Sequence, residues 1–328
     1  ARHVSVTGME RPGGGYSAET WLVDTEVDGT SHRFVVKRET PDPPIYPTQV
    51  PGLLVEVEIQ HRIMDALSRC EGVPVAPLVG YENDPAVLGR PFFAMEYVPG
   101  VILTESPPYT ASGPFIDASE AVRREMVESG LRVLAAMHDI AWERAGLGWL
   151  APEGEASHTR QLRIWEDWGH QELRGRDHPD ITEGLRWLHA HQPRCGPPVF
   201  NWGDSRLGNI IFDGARCVCT MDFEGACIAP PEVDLGWWLF FDRTMHEGAH
   251  QERAPGNPTR AEQLEIYAQL SGRDLGDVHW FEVLAGVKYA VIVVRVMNRS
   301  VDRGEIGPES DFWRTNSIVD CLAEVVGQ

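Results

Sequence analysis

NWGDSRLGNIIFDG, residues 201–214, is the stretch that decides the fold. It places Asn209 five residues after Asp204, continues with three apolar residues and ends in an Asp-Gly pair. Asp-Gly between two short apolar segments predicts a β-hairpin. A second carboxylate, Asp222, follows the returning strand in TMDFEGA. The pattern therefore predicts a polar loop whose hairpin brings Asp222 back beside Asn209.

The composition is that of a soluble globular protein with a sizeable core. Of 328 residues, 42% are hydrophobic and 24% are charged, which allows one large domain or two lobes. The net charge of −20 argues against nucleic acid and anionic membranes as partners, because both would be repelled. The charge permits a cationic substrate, although an acidic surface more often serves solubility.

The six cysteines show neither C-x-x-C nor Cys/His ligand spacing, which argues against a zinc site or a redox motif. No signal peptide is recognisable, and the longest apolar run, Tyr289–Val294, is too short to span a bilayer. We therefore expect a reduced, cytoplasmic protein. The chain begins without Met, which is compatible with a missing N-terminal segment, and the sequence indicates no oligomeric state.

Secondary-structure patterns divide the chain into a β-rich first part and a helical second part. Strands are predicted at 19–27, 31–39, 76–82 and 92–98, with a helix from about 53 to 68 after a proline-rich loop. Helices are predicted at 117–140 and near 160–175, 180–191, 260–271 and 277–302. This predicts an N-terminal lobe of residues 1–98 and a C-terminal lobe of residues 99–328 that carries the hairpin.

The polar pattern of the loop fits phosphoryl transfer. That reaction needs a positioned hydroxyl, an acceptor for its proton and Mg²⁺ to neutralise phosphate charge. Asp204 is the candidate proton acceptor, and Asn209 and Asp222 offer hard oxygen ligands for the metal. The structural alternatives are a turn-forming Asp204 and an Asn209 that caps the strand. Arg206 is a candidate either for stabilising the transferring charge or for a salt bridge.

Lys37 is the candidate contact to the α- and β-phosphates of a nucleotide, and the alternative is a surface lysine on an edge strand. Only two of the 29 basic residues are Lys, Lys37 and Lys288, so a retained Lys is expected where Arg cannot replace its compact charge. Such a lysine needs a carboxylate on the following helix, and the predicted register offers Glu56 with Gln60 assisting. Upstream, the glycine-rich turn in GGGYSAETW (13–21) and the hydroxyl of Ser17 fit a close approach to a ligand, although most such turns are plain turns.

The strand in FFAMEYVPG (92–100) ends at the predicted crossing between the lobes. There the C=O of Glu96 and the N–H of Val98 are expected to contact the nucleotide base, which does not separate ATP from GTP. In the helical part, RIWEDWGHQEL (163–173) places Trp165 three residues before Trp168. That spacing is ordinary for helix packing, and the alternative is an acidic, aromatic wall with Glu172 for a cationic acceptor.

Taken in this order, the motifs resemble the aminoglycoside phosphotransferase family. These protein-kinase-like small-molecule kinases carry H-G-D-x4-N, a hairpin and [IL]-D-[FW], and the matching segments here are 202–214 and CTMDFEGACIAPPEVDLGWWL (219–239). GGGYSAETWLV also resembles the family's nucleotide-positioning loop, and MHDI (137–140) its LH-x-I helix end. W-G-D-x-R-x-G-N resembles an actinobacterial branch and, more distantly, the kinase-like domains fused to acyl-CoA dehydrogenases.

The resemblance implies an α+β, bilobal protein-kinase-like fold. A β-rich N-lobe with one main helix is expected to bind the nucleotide, and a larger, mostly α-helical C-lobe to carry the catalytic loop and hairpin. ATP, or GTP, and Mg²⁺ are the implied co-substrate and cofactor, and a small-molecule hydroxyl is the acceptor. An aminoglycoside, a hydroxyacyl-CoA, an amino alcohol and a sugar are the candidates. By the same likeness Asp204 is the base, Asn209 and Asp222 are Mg²⁺ ligands, and Lys37 holds phosphate.

Two positions depart from the family pattern. Trp202 stands where the motif has His, and Gln60 stands where the helix Glu is expected. An indole N–H can donate a hydrogen bond that braces the loop, so we predict a structural replacement at Trp202. Gln60 is more serious, because a poorly oriented Lys37 would weaken nucleotide binding. Both departures favour the alternative of a catalytically silent kinase-like nucleotide- or ligand-binding module. The retained Asp204, Asn209 and Asp222 favour an enzyme. Asp234 is interpreted as a helix cap or an internal hydrogen-bond acceptor.

Overall fold

The computed structural model describes residues 4–12 and 18–328. In this part the strands are Val4–Glu10 (β1), Glu19–Val27 (β2), Thr30–Arg38 (β3), Leu78–Glu82 (β4), Phe92–Glu96 (β5), Val101–Ile102 (β6), Val199–Asn201 (β7), Ile210–Asp213 (β8), Arg216–Thr220 (β9) and Cys227–Ala229 (β10). The α-helices are Glu56–Leu67 (α1), Pro85–Leu88 (α2), Pro114–Asp117 (α3), Glu120–His138 (α4), His158–Leu173 (α5), Pro179–Ala190 (α6), Glu232–His246 (α7), Arg260–Ser271 (α8), Val278–Asp302 (α9) and Ser317–Val326 (α10).

An antiparallel sheet in the order β1-β2-β3-β5-β4 forms the first part of the fold. Asp28 and Gly29 join β2 to β3, and both have positive φ, at 50° and 82°, as a two-residue hairpin turn of the primed type requires. The predicted strand 19–27 matches β2, and β1 adds an edge strand to the predicted order. Lys37 lies near the end of β3, opposite Phe93 of β5.

Helix α1 packs its apolar stripe, Val57, Ile63 and Leu67, into the core. It begins at Glu56, three residues later than about 53, the predicted start. A carboxylate from the sheet fixes this start, because Glu39 Oε2 accepts the hydrogen bond from the N–H of Val57 at 3.1 Å. Negative charge at a helix N-terminus is stabilised by the exposed amides and the helix dipole.

The second part is helical and is organised around α9, which packs against α5, α6, α7 and α10. The predicted helices at 117–140, 160–175, 180–191, 260–271 and 277–302 correspond to α4, α5, α6, α8 and α9. The sequence analysis assigned no helix to α7 or α10. The α+β class with a helical C-lobe is confirmed, and the lobe boundary at residues 98/99 stays a prediction. None of the helices that the structure describes is long and apolar enough to cross a membrane.

Two small sheets hold the polar loop of residues 202–209. Before the loop, β7 pairs with β10, and after it, β8 lies between β6 and β9. The β8–β9 hairpin turns at Gly214, whose φ is +60°, as Asp-Gly predicted. Ile210 of β8 pairs with Thr220 of β9. The returning strand therefore delivers Asp222 to the end of the loop, where Met221 N–H donates to the Asn209 carbonyl at 3.0 Å.

Candidate active site

Asp204 lies at the centre of the loop, buried and held by three donors. Its Oδ2 accepts a hydrogen bond from Asn209 Nδ2 at 2.8 Å. Its Oδ1 accepts from the indole nitrogen of Trp237 and from Arg206 Nε, each at 2.9 Å. Donors on both oxygens fix the plane of the carboxylate. The alternative of a plain turn-forming Asp204 does not fit this environment, since a turn former is normally solvated.

The surroundings of Asp204 change its acidity. Burial raises the pKa of Asp204 to about 7, against the opposing positive charge of Lys288. A carboxylate whose pKa lies near neutrality is a better proton acceptor than an ordinary surface Asp. The loop therefore places a carboxyl group with a raised pKa, whose two oxygens both accept hydrogen bonds, beside an open cavity.

Asn209 and Asp222 present oxygen atoms next to Asp204. The amide nitrogen of Asn209 also donates to the main-chain oxygen of Asp204, at 3.0 Å, so the amide oxygen is the atom of this side chain that could bind a metal. Asp222 has φ of +57°, an uncommon conformation for a non-Gly residue that is often found at functional sites. Burial acts to raise the pKa of Asp222, but the charge of Lys37 outweighs it and the pKa lies below its ordinary value.

This donor set fits Mg²⁺. Within residues 4–12 and 18–328, no three His, Cys, Asp or Glu side chains group to hold a metal by themselves. Mg²⁺ is commonly bound through one or two protein oxygens together with substrate phosphates and water. One carboxylate and one amide oxygen beside the ammonium group of Lys37 fit that requirement, and they do not form a site for a softer metal.

Gln60, rather than Glu56, contacts Lys37. Lys37 Nζ donates to Gln60 Oε1 at 3.2 Å and forms an ion pair with Asp222. Glu56 instead accepts the hydrogen bond from the N–H of Ile45 at 3.2 Å. Burial and the nearby Glu224 raise the pKa of Glu56 to about 8, so it carries little charge at neutral pH. The expected order, with Glu56 leading and Gln60 assisting, is therefore reversed.

Trp202 braces the loop from inside the core. It is fully buried, and its indole N–H donates to the main-chain oxygen of Met221 at 2.7 Å. This bond links Trp202, which precedes Gly203, to Met221, which precedes Asp222. The prediction that the indole replaces a bracing His is confirmed in its geometry.

Asp234 anchors the same loop from α7. Its carboxylate accepts the main-chain N–H groups of Trp202 and Gly203, the second at 2.8 Å. The side-chain oxygen of Asn201 in turn accepts the N–H of Asp234 at 3.1 Å. Asp234 is thus an internal acceptor, as interpreted. Gly203 has φ of +86°, and a Cβ there would overlap the carbonyl of Gly225, so only glycine fits.

Replacing Trp202 with Phe should lower the free energy of unfolding by about 1–3 kcal/mol, because the carbonyl of Met221 loses its donor in a buried site. Urea denaturation measures the change. Trp168→Phe is the matched control, since the Trp168 indole N–H has no hydrogen-bond partner within the described part of the chain. Equal losses in the two variants would contradict the bracing role.

Lys288 is the functional residue that the sequence analysis missed. Lys288 belongs to α9 and is buried, with its Nζ 4.0 Å from the ring centre of Trp237. The same Nζ donates a hydrogen bond to the carbonyl of Gly203, the residue directly before Asp204. Burial lowers the pKa of Lys288, against the charges of Asp204 and Asp234. The scarcity of lysine was the available signal, because both lysines of the chain lie at the site.

The remaining predicted residues lie in different settings. Arg206 forms ion pairs with Glu105 and Asp204, which is the salt-bridge alternative. Ser17 lies outside the described residues, and the base contacts at Glu96 and Val98 stay predictions. The acidic, aromatic wall is wrong: Trp165 is buried in the core, and Glu172 pairs with Arg295 at 3.4 Å.

The whole arrangement can be compared with known proteins. Residues 8–280 match the model of the phosphotransferase enzyme family (APH). This chain belongs to that family. The match includes both the lysine strand and the loop with its hairpin, and it confirms the family resemblance seen in the motifs.

Curated relatives share the sequence over most of this chain. Acyl-CoA dehydrogenase family member 10 of Mus musculus is 27% identical over 256 residues, which are 75% of this chain and 23% of the relative. Acyl-CoA dehydrogenase family member 11 of Homo sapiens is 28% identical over 292 residues, 84% of this chain and 35% of the relative. This chain thus spans about a quarter to a third of the length of these relatives.

Solved structures share the fold. A Ralstonia eutropha protein with a provisional assignment as an aminoglycoside phosphotransferase has a TM-score of 0.69 and 24% identity, covering 100% of this chain and 90% of its own. Macrolide 2'-phosphotransferase MphH of Brachybacterium faecium has a TM-score of 0.57, 14% identity and coverages of 96% and 91%. A thermostable mutant of aminoglycoside phosphotransferase APH(4)-Ia, in complex with AMP-PNP and hygromycin B, has a TM-score of 0.58, 12% identity and coverages of 98% and 92%.

Proposed function

We propose that this chain transfers the γ-phosphate of Mg²⁺-bound ATP to a hydroxyl of a small molecule. The observation that carries the proposal is the buried carboxylate of Asp204, which is held by Asn209, Trp237 and Arg206. The ion pair between Lys37 and Asp222 lies on the nucleotide side. General base, metal ligands and phosphate cation occur together in one loop, one hairpin and one strand.

In this proposal Asp204 receives the proton of the attacking hydroxyl. Donors on both of its oxygens hold it in one orientation, and its raised pKa favours proton transfer at neutral pH. Lys37 contacts the α- and β-phosphates, positioned by Gln60, and Arg206 lies close enough to Asp204 to meet the transferring charge. Asn209 and Asp222 would hold the metal, which would neutralise phosphate charge when bound.

Three further contacts belong to the nucleotide side of the proposal. The C=O of Glu96 and the N–H of Val98 contact the base, and Ser17, which lies outside the described residues, is the third predicted contact to the ligand. Backbone contacts of this kind accept ATP or GTP. APH(4)-Ia was solved with AMP-PNP, and aminoglycoside 2'-phosphotransferase-IIIa with GDP, so proteins of this fold bind adenine or guanine nucleotides.

Two contacts favour the enzyme over the alternative of a catalytically silent binding module. Gln60 makes the contact to Lys37 that a carboxylate was expected to make, and Trp202 supplies the bracing donor. Thermal-shift measurements with ATP, with GTP and with either nucleotide plus Mg²⁺ test nucleotide binding, which is the first step of the proposed reaction. Mg²⁺-dependent stabilisation supports it, and an unchanged melting temperature in all mixtures contradicts it.

Lys37→Met should weaken the binding of Mg²⁺-nucleotide by about 10- to 100-fold, because a charge-assisted phosphate contact contributes about 1.5–3 kcal/mol. Isothermal titration with a non-hydrolysable ATP analogue measures the change. Arg33→Met is the matched control, since Arg33 lies on the same strand and pairs with Asp24 at the surface. An unchanged dissociation constant for Lys37→Met would contradict the role of Lys37.

A further inference from the structure

The cavity beside Asp204 has two ends of different character. It encloses about 450 Å³ and runs from the loop and hairpin to α9 and the segment before α10. Its acidic residues are Glu105, Asp204, Asp222 and Glu224, and all four lie at the end where the phosphate would be transferred. The far end is lined by α9 and by the chain that follows it.

Two cations of the protein pair with carboxylates at the reaction end. Arg206 lies between Glu105 and Asp204 and pairs with both. Lys37 pairs with Asp222, and the charge of Glu224 also acts on Lys37. Glu105, Asp204 and Asp222 therefore already face the protein's own cations, which weakens their attraction for a polycationic substrate.

The aromatic rings at this end also have cations on their faces. Lys288 Nζ lies 4.0 Å from the ring centre of Trp237, and the guanidinium carbon of Arg206 lies 4.8 Å from that of Phe241. The electrostatic attraction between a cation and a ring is strongest over the ring face. An ammonium group of the substrate would compete with Lys288 and Arg206 for these faces.

The wall formed by α9 is apolar. Tyr289, Ile292, Val293, Val296 and Met297 line the cavity, spaced at i, i+3, i+4, i+7 and i+8 along one face of the helix. Phe312 closes the far end with half of its surface exposed.

The core face of α9 is apolar as well, through buried Val287, Val291 and Val294. A helix that needed only to fold would carry polar residues on its solvent side. Ile292 and Val293 of the strip are buried, whereas Val296 and Met297 are half-buried and line the cavity. Apolar surface in a cavity marks the place where an apolar part of a ligand binds.

We propose that the acceptor is an alcohol with an uncharged, apolar body, which lies along the α9 strip and directs its hydroxyl to Asp204. This inference rests on the proposed function. The hydroxyl oxygen forms a bond to the γ-phosphorus, the bond between that phosphorus and the β–γ bridging oxygen breaks, and ADP leaves. The hydroxyl proton passes to Asp204, so a phosphate monoester and ADP are the products.

Calorimetric titration with octanol, glycerol and kanamycin, each without nucleotide, tests the proposal. Octanol carries a hydroxyl on an apolar chain, glycerol carries hydroxyls without one, and kanamycin is a polycation. We expect octanol to bind at least about ten times more tightly than glycerol, since each buried methylene contributes about 0.8 kcal/mol. Octanol binding no tighter than glycerol binding, or kanamycin binding tighter than octanol, overturns the proposal.

The variant Val296→Asp tests whether octanol lies on the strip. Val296 is half-buried in the cavity wall, and a carboxylate there should weaken octanol binding by about tenfold or more, because apolar groups do not solvate a charge. Leu270→Asp, on exposed α8 surface away from the cavity, is the control and should bind octanol like the parent protein. Equal affinity for octanol in Val296→Asp and the parent contradicts the proposal.

A separate readout distinguishes failure of the inference from failure of the proposed function. Stabilisation by Mg²⁺-ATP depends on Lys37, Asn209 and Asp222, whereas octanol binding depends on the α9 strip. Stabilisation by Mg²⁺-ATP without preferential octanol binding overturns only the acceptor class. Octanol binding that Val296→Asp weakens, without Mg²⁺-ATP stabilisation, supports the apolar site and contradicts the kinase proposal.

Discussion

Replacing Asp204 with Asn reduces phosphate transfer by about 10²–10⁴-fold in the proposed mechanism, the usual contribution of a positioned general base. The amide cannot accept the hydroxyl proton. Asp204 also accepts from Asn209 on one oxygen and from Trp237 and Arg206 on the other. In either orientation of the Asn side chain, its NH₂ group would therefore point at one of these donors. This repulsion should also lower the free energy of unfolding by about 1–3 kcal/mol.

The rate is measured as phosphorylated acceptor formed, and a thermal shift on the same sample reports nucleotide binding. We expect the rate to fall while stabilisation by Mg²⁺-nucleotide persists. Asp213→Asn is the matched control, because Asp213 lies in the exposed turn of the same hairpin and pairs only with surface Arg216 in the described contacts. A transfer rate within a few-fold of the parent rate in Asp204→Asn would rule out Asp204 as the base.

Asp222→Asn has the second large effect, on Mg²⁺-dependent nucleotide binding. The parent protein at a ligand concentration about 100 times the dissociation constant gains about 2.7 kcal/mol of stability. The variant loses the carboxylate ligand and should lose most of this gain. Free of nucleotide, it is also destabilised, because Lys37 keeps its buried charge without the Asp222 partner.

Denaturation with nucleotide alone and with nucleotide plus Mg²⁺ separates the two effects of Asp222→Asn. Loss of the ion pair with Lys37 lowers the stability in both conditions. Loss of the metal ligand lowers only the extra stability that Mg²⁺ adds. The Asp213→Asn protein should show the parent difference. An unchanged Mg²⁺-dependent difference in Asp222→Asn would show that the metal is held elsewhere.

The parts of the site that are close in sequence could be predicted. Asp204, Asn209 and Asp222 lie on one loop and the hairpin that follows it, so their proximity follows from the Asp-Gly turn and the short strands. The bracing role of Trp202 could be predicted from the family motif together with donor chemistry, because the indole N–H can donate in place of the motif's His.

The parts that depend on tertiary packing could not be predicted. Glu56 and Gln60 are one helical turn apart on one face of α1, and only the distance from β3 decides that Gln60 reaches Lys37. Lys288 reaches Gly203 across 85 positions of sequence. No local pattern encodes that contact, although the rarity of lysine marked both residues.

Helix α9 is a further case in which tertiary packing could not be predicted from the sequence. Its position was predicted at 277–302, within one residue of its observed start. Periodicity does not show which apolar face of a helix meets the core and which meets a cavity. That distinction depends on α7 and α10, which pack against α9 and for which no helix was predicted.

Transfer of radiolabel from the γ-phosphate of ATP to an alcohol is the most direct measurement of the central claim. The parent protein, with Mg²⁺ and a panel of alcohols and aminoglycosides, should produce a labelled phosphate monoester, and Asp204→Asn and Mg²⁺-free samples should not. Labelled inorganic phosphate alone, or ester formation equal in the parent and in Asp204→Asn, would contradict the assignment of this loop as the catalytic centre of a small-molecule kinase.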